Sequence, residues 1–440
     1  MLKMSLSDSN QNVRTYPVIA SAQSQVPQEL MSSNAPRPLA SRLSHKQSIS
    51  STATQGSSGQ LMFQLPCGSG QGFLKSGSAY LQCRVTGVGQ GTAGDYWVFQ
   101  NANQLGSSII LRDTLYCNGN IADQYNYISK LRQGLVSHCS SESYVKNDLS
   151  VLEGSNQRST IVGAVVATSQ GYMDICIPVQ NGVLNAQHNL PLFLLNTCNL
   201  EFNLETTANA IQFLVHVGTD YIVSNAKLLY TVIQPEVAFE QEMRSILASG
   251  KLFQMPIKSW YNLKQSNNVA GAKNIQIGLN MSSVNGIFHC SATLNGDTQT
   301  RVFNYGDTPS NFRVWTDGQL VNNFNLDTAS IQFAELKKAL GVFGDPERAS
   351  CGPSAGTAAA TDGIGSFSAS LSQYIFQNQA FLGGLGLLRT QESGFEMSGT
   401  PVSVLNAEIT NAGSAGDLYI FVSYSQILTI DAQGSISLVR

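Results

Sequence analysis

Charge is what this sequence has least of. Asp, Glu, Lys and Arg make up 12% of its 440 residues, about half the ~25% of ordinary soluble domains. Asn, Gln, Ser, Thr and Gly fill the gap. Charge keeps monomers apart in solution, so a neutral-polar exterior suits a protein pressed against copies or partners. Long apolar runs are also missing. None approaches the ~20 residues of a membrane span, and no charged n-region followed by an apolar h-region opens the chain. We therefore expect a protein that folds in a reducing compartment and does not leave through a secretory signal. The glycosylation sequon Asn280-Met-Ser282 carries no meaning without that route.

The chemistry of catalysis is equally thin. There is no C-x-x-C, no H-x-x-x-H and no Gly-Lys-Ser/Thr phosphate loop. Gly89-x-Gly91-x-x-Gly94 matches the dinucleotide fingerprint as a string, but Asp95-Tyr-Trp-Val-Phe99 follows it and reads as a strand. The fingerprint needs a helix N-terminus there to meet the pyrophosphate. Gly352-Pro-Ser354-Ala-Gly356 resembles a nucleophile elbow, yet that order requires a later His and the last one is His289. His138-Cys139 and His289-Cys290 are adjacent pairs, whose side chains diverge on a strand or a helix and chelate poorly. No carboxylate pair stands out. We read the chain as no enzyme, with no catalytic, cofactor-binding or metal-binding residues and no cofactor.

Eight cysteines are present: Cys67, Cys83, Cys117, Cys139, Cys176, Cys198, Cys290 and Cys351. Several fall inside strand patterns, so buried reduced thiols are the default reading. Net charge is −3, which excludes a general nucleic-acid footprint. Residues 1–60 carry five basic and two acidic residues, a mildly basic balance of +3.

What is present is alternation. Residues 1–59, rich in Ser, Gln, Asn and Pro, read as a flexible N-terminal arm. From there period-two patterns dominate: Leu61–Leu65, Ala79–Val85, Tyr96–Phe99, Ser107–Tyr116, Thr160–Thr168, Met173–Val179, Cys198–Leu204, Ile211–Val217 and Asn225–Ile233. Gly87–Gly94 reads as a glycine-rich loop. Ile121, Tyr125, Ile128, Leu131 and Leu135 fall at helical spacing, with an end near Gly134. A second helix follows Pro235 and ends at Gly250. The second half offers Lys251–Leu263, Ile275–Met281, a turn at Asn285-Gly286, Ile287–Leu294, a turn at Asn295-Gly296 and Phe312–Trp315. A helix through Phe333, Leu336, Leu340 and Phe343 follows, capped by Asp327 or Ser330. After a 350–364 loop come Phe367–Phe376, Phe395–Met397, Val402–Ile409, Leu418–Ile430 and Ile436–Val439.

The halves resemble each other. Strand, Asn118-Gly119 and a helix near 121 match strand, Asp317-Gly318 and a helix near 330. The strand near 227 matches the one near 424. Markers recurring at about 200 residues argue for duplication. The expected fold is all-β: two tandem eight-stranded jelly-roll sandwiches, a double jelly roll with a few short helices. The first roll would span 60–235, a connecting helix 236–250 and the second roll 251–440.

This order of features resembles the double jelly-roll major capsid proteins of tailless icosahedral DNA viruses. The segments that carry it are Ser107–Leu135, Ile177–Leu204, Ser224–Ser249, Ile275–Ala292 and Asp417–Val439. The very long tower insertions of adenovirus hexons are absent. The resemblance is closer to the compact proteins of polinton-like, virophage-like or membrane-containing phage groups. It implies a homotrimer forming a pseudo-hexameric capsomer within the virion. It also implies contacts with neighbouring capsomers, a penton protein and minor or cement proteins, and an internal lipid membrane reached by the arm. It implies no sequence-specific nucleic acid. Three other readings stay open: a secreted or surface carbohydrate-binding β-sandwich protein, an enzyme on a β-sandwich scaffold, and a capsid-assembly scaffold of the same fold.

Overall fold

A computed structural model describes residues 41–89, 96–100, 105–141, 143–154, 159–160, 171–213, 218–267, 271–294, 301–304, 312–343, 376, 381–388, 399–411 and 416–439. The strands of the first half are β1 (Ser41–Ile49), β2 (Thr54–Gly56), β3 (Gln60–Leu65), β4 (Phe73–Leu74), β5 (Tyr80–Gly89), β6 (Tyr96–Phe99) and β7 (Ile110–Cys117). They continue with β8 (Asn120–Asn126), β9 (Ser159–Thr160), β10 (Tyr172–Pro178), β11 (Leu190–Pro191), β12 (Cys198–Leu204), β13 (Ile211–Phe213) and β14 (Gly218–Pro235). Helices α1 (Ile128–Cys139), α2 (Leu149–Glu153) and α3 (Thr207–Ala210) lie among them, and α4 (Val237–Ala248) follows. The second half holds β15 (Phe253–Asn267), β16 (Gly271–Leu294), β17 (Arg301–Asn304), β18 (Phe312–Thr316), β19 (Gln319–Leu320), α5 (Ala329–Ala339), β20 (Gly383–Gly386), β21 (Thr400–Asn411), β22 (Gly416–Ile430) and β23 (Ile436–Val439).

In the first half a sheet ordered β10-β5-β14-β4-β11, with β1 and β2 added along β14, faces a sheet ordered β3-β12-β7-β8. The alternating sequences explain the packing. Leu81, Cys83 and Val85 of β5, Ile175 and Ile177 of β10 and Tyr221, Val223, Leu228 and Val232 of β14 meet Leu61, Phe63 and Leu65 of β3 and Leu200 and Phe202 of β12 in one buried cluster. Phe63 and Phe202 touch edge to face at 6.0 Å, the geometry favoured by the ring quadrupoles.

The second half forms a connected sheet ordered β15-β22-β16-β21-β18-β19. Its continuity comes from β16. Residues 271–284 of that strand pair with β21 and residues 284–292 with β22, with register shifts between Gly278 and Met281, Met281 and Val284, and Val284 and Gly286. Bulged strands of this kind carry one chain from sheet to sheet. β22 is covered on both faces. Leu418, Ile420, Val422 and Tyr424 enter one core cluster, and Tyr419 and Phe421 enter another with Phe288, Leu336 and Leu131.

The duplication is visible in the turns. Cys117 pairs with Asn120 around Asn118-Gly119, and Thr316 pairs with Gln319 around Asp317-Gly318. Both central residues have positive φ in each turn: +52° and +80° in the first, +49° and +83° in the second. These are type I′ hairpins, which Asn-Gly and Asp-Gly favour. They lie 199 residues apart (317 − 118), and each leads into a helix, α1 or α5.

Several expectations are corrected. Residues 121–126 are not helical: they form β8, and α1 begins at Ile128 and runs beyond Gly134 to Cys139. Hairpin pairing with β7 overrides the chance helical spacing of Ile121 and Tyr125. Asn285-Gly286 is not a turn but a bulged point within β16, where Asn285 Nδ2 donates to Ser425 Oγ at 2.9 Å. β5 runs through Gly87–Gly89, read as loop, because it pairs there with β14. Of the expected arm, residues 1–40 lie outside the described residues, and 41–49 and 54–56 are strands. β1 pairs with β14 over nine residues, Ser41 opposite Pro235 to Ile49 opposite Lys227, and β2 pairs with it at 222–224. The cap of α5 is neither Asp327 nor Ser330 but Thr328, whose Oγ1 accepts from Ile331 N at 3.4 Å. The 350–364 loop, Asn295-Gly296, Phe395–Met397, all of Thr160–Thr168 beyond Thr160 and all of Phe367–Phe376 before Phe376 lie outside the described residues.

Candidate functional site

A group of hydrogen-bonded polar side chains lies at the seam where the halves meet. Apolar packing lays its floor. Phe253, Met255 and Ile257 of β15 and Leu428 and Ile430 of β22 belong to the core cluster of the first half. Each such buried side chain is worth roughly 1.5–3 kcal/mol. Above them, β8 faces β15. Asp123 Oδ1 accepts from Ser259 Oγ at 2.6 Å, and its Oδ2 accepts from Gly182 N at 2.8 Å. Gln426 Nε2 donates to Ser259 Oγ at 3.0 Å. Tyr125 Oη donates to the Lys258 carbonyl at 2.9 Å, and Asn262 Nδ2 to the Asn126 carbonyl at 2.5 Å. Farther along, Lys337 Nζ of α5 donates to the His138 carbonyl of α1 at 2.6 Å, joining the two duplicated helices.

α4 is fastened back onto the first half. Its Glu240 Oε2 accepts from Gly70 N at 2.8 Å, and Arg244 Nη2 donates to the Phe193 carbonyl at 2.5 Å. Met243 and Leu247 sit in the first core. The connection is thus a packed element, and the halves are joined by the hydrogen bonds of Asp123, Tyr125, Asn262 and Lys337.

The seam contains a carboxylate pair that periodicity did not reveal. Asp113 and Asp123 lie on hairpin strands β7 and β8. Burial, and then the charge of Asp123, push Asp113 well above the ordinary carboxylate range. Burial pushes Asp123 up to about 6 against its hydrogen bonds from Ser259 and Gly182. Such a pair can serve acid–base chemistry when it lines a cleft. Here Asp113 is fully buried and Asp123 is 4% exposed. The cavity beside Asp113, walled by Leu81, Ile128, Ile177 and Phe202, has room for no more than a single water. The arrangement locks strands together and does not admit a substrate.

The adjacent His-Cys pairs are placed as packing groups. His289 is enclosed by Phe312 at 4.4 Å and Phe381 at 5.6 Å. Burial lowers it to about 3, so it is neutral. Burial also raises its neighbour Cys290. His138 is fully buried against Phe333 and Phe376. Among the described residues no group of three or more His, Cys, Asp and Glu side chains is placed to hold a metal ion. Gly89 of the fingerprint string lies on β5, and the string's remaining glycines and Gly352–Gly356 lie outside the described residues.

The exterior carries single apolar residues on an otherwise neutral-polar surface. Leu43 and Ile49 on the edge strand β1, Val151 on α2, Val237 on α4, and Phe324 and Phe343 flanking α5 are more than half exposed or at that level.

The sequence matches no family model and no curated protein. Solved structures do match. The PBCV-1 virus capsid protein superposes with a TM-score of 0.57 at 11% identity, covering 93% of this chain and 99% of that one. The Faustovirus major capsid protein superposes with a TM-score of 0.56 at 9% identity, covering 93% of this chain and 92% of that one. At such identities the likeness is one of fold, and the fold of this chain is the double jelly roll of these viral capsid proteins.

Proposed function

We propose that this chain is a major capsid protein, three copies of which form a pseudo-hexameric capsomer that tiles an icosahedral virus shell. The observation that carries this reading is the superposition over almost the full length of two capsid proteins, with little of either chain left over. The duplication supplies the physical logic. Two similar rolls per chain give six similar edges from three chains, and closed threefold symmetry satisfies every contact. The fused seam keeps the rolls at a fixed mutual angle, which a rigid tile requires. The low charge fraction suits a surface covered by neighbouring capsomers, a penton protein and minor or cement proteins. The mildly basic N-terminal residues suit an anionic membrane surface inside the shell. The protein would then reside in the virion.

Electron microscopy of the purified recombinant chain tests the tile. Threefold particles with a hexagonal outline are expected, and a field of isolated single subunits would count against the reading. Mass spectrometry of mature virions separates shell from scaffold. A shell protein is the dominant component of the finished particle, whereas an assembly scaffold of the same fold is lost from it.

A further inference from the structure

Cys117 and Cys198 lie directly opposite each other on the adjacent antiparallel strands β7 and β12. Their sulfurs are 4.0 Å apart, and both side chains are fully buried. Directly opposed residues in such a pair have Cα atoms about 4.5–5.5 Å apart, inside the roughly 4.4–6.8 Å that a disulfide spans. Reaching the ~2.05 Å bond requires the sulfurs to close by about 2 Å. Side-chain rotation is the motion that can supply it, with the strands already in register.

Cys67 completes a row of three. β12 pairs Cys198 with Leu65, and Cys67 follows Leu65 by two positions and packs on the same core. Its thiol donates to the Leu65 carbonyl at 3.4 Å, and interaction with the Cys198 thiol holds Cys67 below the usual thiol range. Hydrogen bonds with Cys117 and Cys67, then burial, hold Cys198 well above that range. Unlike the other two, Cys67 is partly exposed. One thiol of the row therefore meets solvent with raised thiolate character, and two are sealed behind it. Elsewhere burial raises Cys83, Cys290 and the partly exposed Cys176, which disfavours the reactive thiolate.

We propose that Cys67, Cys198 and Cys117 form a thiol relay that takes up one equivalent of a peroxide at Cys67 and stores it as a cross-strand Cys117–Cys198 disulfide. The Cys67 thiolate attacks one peroxide oxygen, the O–O bond breaks, and Cys67 becomes a sulfenic acid while the leaving oxygen departs as water after taking a proton. The Cys198 sulfur displaces the sulfenic oxygen as a second water, forming a Cys67–Cys198 disulfide. The Cys117 thiolate then attacks Cys198 Sγ and releases Cys67 as a thiolate. Two thiols lose two electrons and two protons, and hydrogen peroxide is reduced to two waters. The relay is independent of the capsid reading, since it uses only groups within one chain.

The test treats the full native chain with equimolar hydrogen peroxide, quenches with N-ethylmaleimide, digests with trypsin and chymotrypsin without reductant, and identifies linked peptides by mass spectrometry. A Cys117–Cys198 link is expected, preceded by a transient Cys67–Cys198 link. In Cys67→Ser the final link should form about tenfold more slowly or not at all, because the accessible thiolate is gone. In Cys198→Ala the sulfenic acid has no resolving thiol, and dimedone should label Cys67. Absence of the Cys117–Cys198 link in the wild-type chain overturns the proposal, as does an unchanged rate in Cys67→Ser. If that variant does not fold, the wild-type time course decides: without a Cys67–Cys198 species that rises and decays, the relay is wrong.

Discussion

Asn118 of the first half holds Gly434, almost at the other end of the chain. Asn118 Nδ2 donates to the Gly434 carbonyl, and Asn118 Oδ1 accepts from the backbone N–H groups of Asn196 and Thr197 at 2.8 Å each. Asn196 Nδ2 adds a contact to the Gln433 carbonyl at 3.5 Å. One side chain, itself at φ +52° in a type I′ turn, thus pins the β22–β23 hairpin to the first roll.

Replacing it separates its two roles. Asn118→Ala removes three hydrogen bonds and puts a Cβ-bearing, non-bonding residue in the left-handed region. A loss of roughly 2–4 kcal/mol is expected in urea unfolding. Asn118→Gly keeps the turn while losing the side chain, and should cost roughly half as much. Equal and negligible losses would show that the hairpin is not held here.

Asp123 makes the seam sensitive to pH. Its folded pKa of about 6 lies above the ordinary value of 3.8. The folded state therefore keeps a proton that the unfolded chain has lost. Its contribution is fully present below about pH 4 and is lost as pH rises toward 6, on the order of 3 kcal/mol across that window. Asp113 and Tyr125 face the same group and are raised with it. The check is the difference in unfolding free energy between wild type and Asp123→Asn at pH 4, 5, 6 and 7. The wild type should lose stability relative to the variant as pH rises, and a flat difference would refute the assignment.

Gly182 sits tightly against β15 of the second half. A methyl there would overlap the Lys258 carbonyl of β15 and the Tyr125 hydroxyl. Gly182→Ala should therefore push β15 away and cost roughly 1–3 kcal/mol in thermal or urea unfolding. A variant as stable as wild type would mean that β15 yields freely.

β1 and β2 cover an edge of β14. A chain starting at residue 41 keeps the nine-residue pairing of β1 with β14, whereas one starting at residue 60 exposes that edge of β14. The shorter chain should melt at a lower temperature and aggregate more readily, as bare edges do. Equal melting temperatures and solubility would assign β1 and β2 no stabilising role.

The parts legible in the sequence were those where local pattern and final packing agree. Met173–Val179 and Cys198–Leu204 alternate because each strand has one core face. The two I′ turns announced themselves because only a few residue types accept positive φ twice in succession. The failures are also physical. β8 buries Ala122, Asp123 and Tyr125 without clean alternation, since the seam takes polar groups from it. β1 is polar because it is an edge strand with most of its residues in solvent. Asn285-Gly286 carries turn chemistry but is spent on a bulge. The seam was illegible because its bonds join residues as distant as Asp123 and Ser259, 136 positions apart. The thiol row depends in the same way on strand pairing between Cys117 and Cys198, 81 positions apart.

The trimeric tile is tested most directly by the solution mass of the purified chain, read by light scattering after gel filtration. One subunit is 47.2 kDa. A single species of about 140 kDa, three subunits, that persists on dilution is the expected result for a closed threefold assembly. A species of one subunit at every concentration, including those at which particles would form, would contradict it.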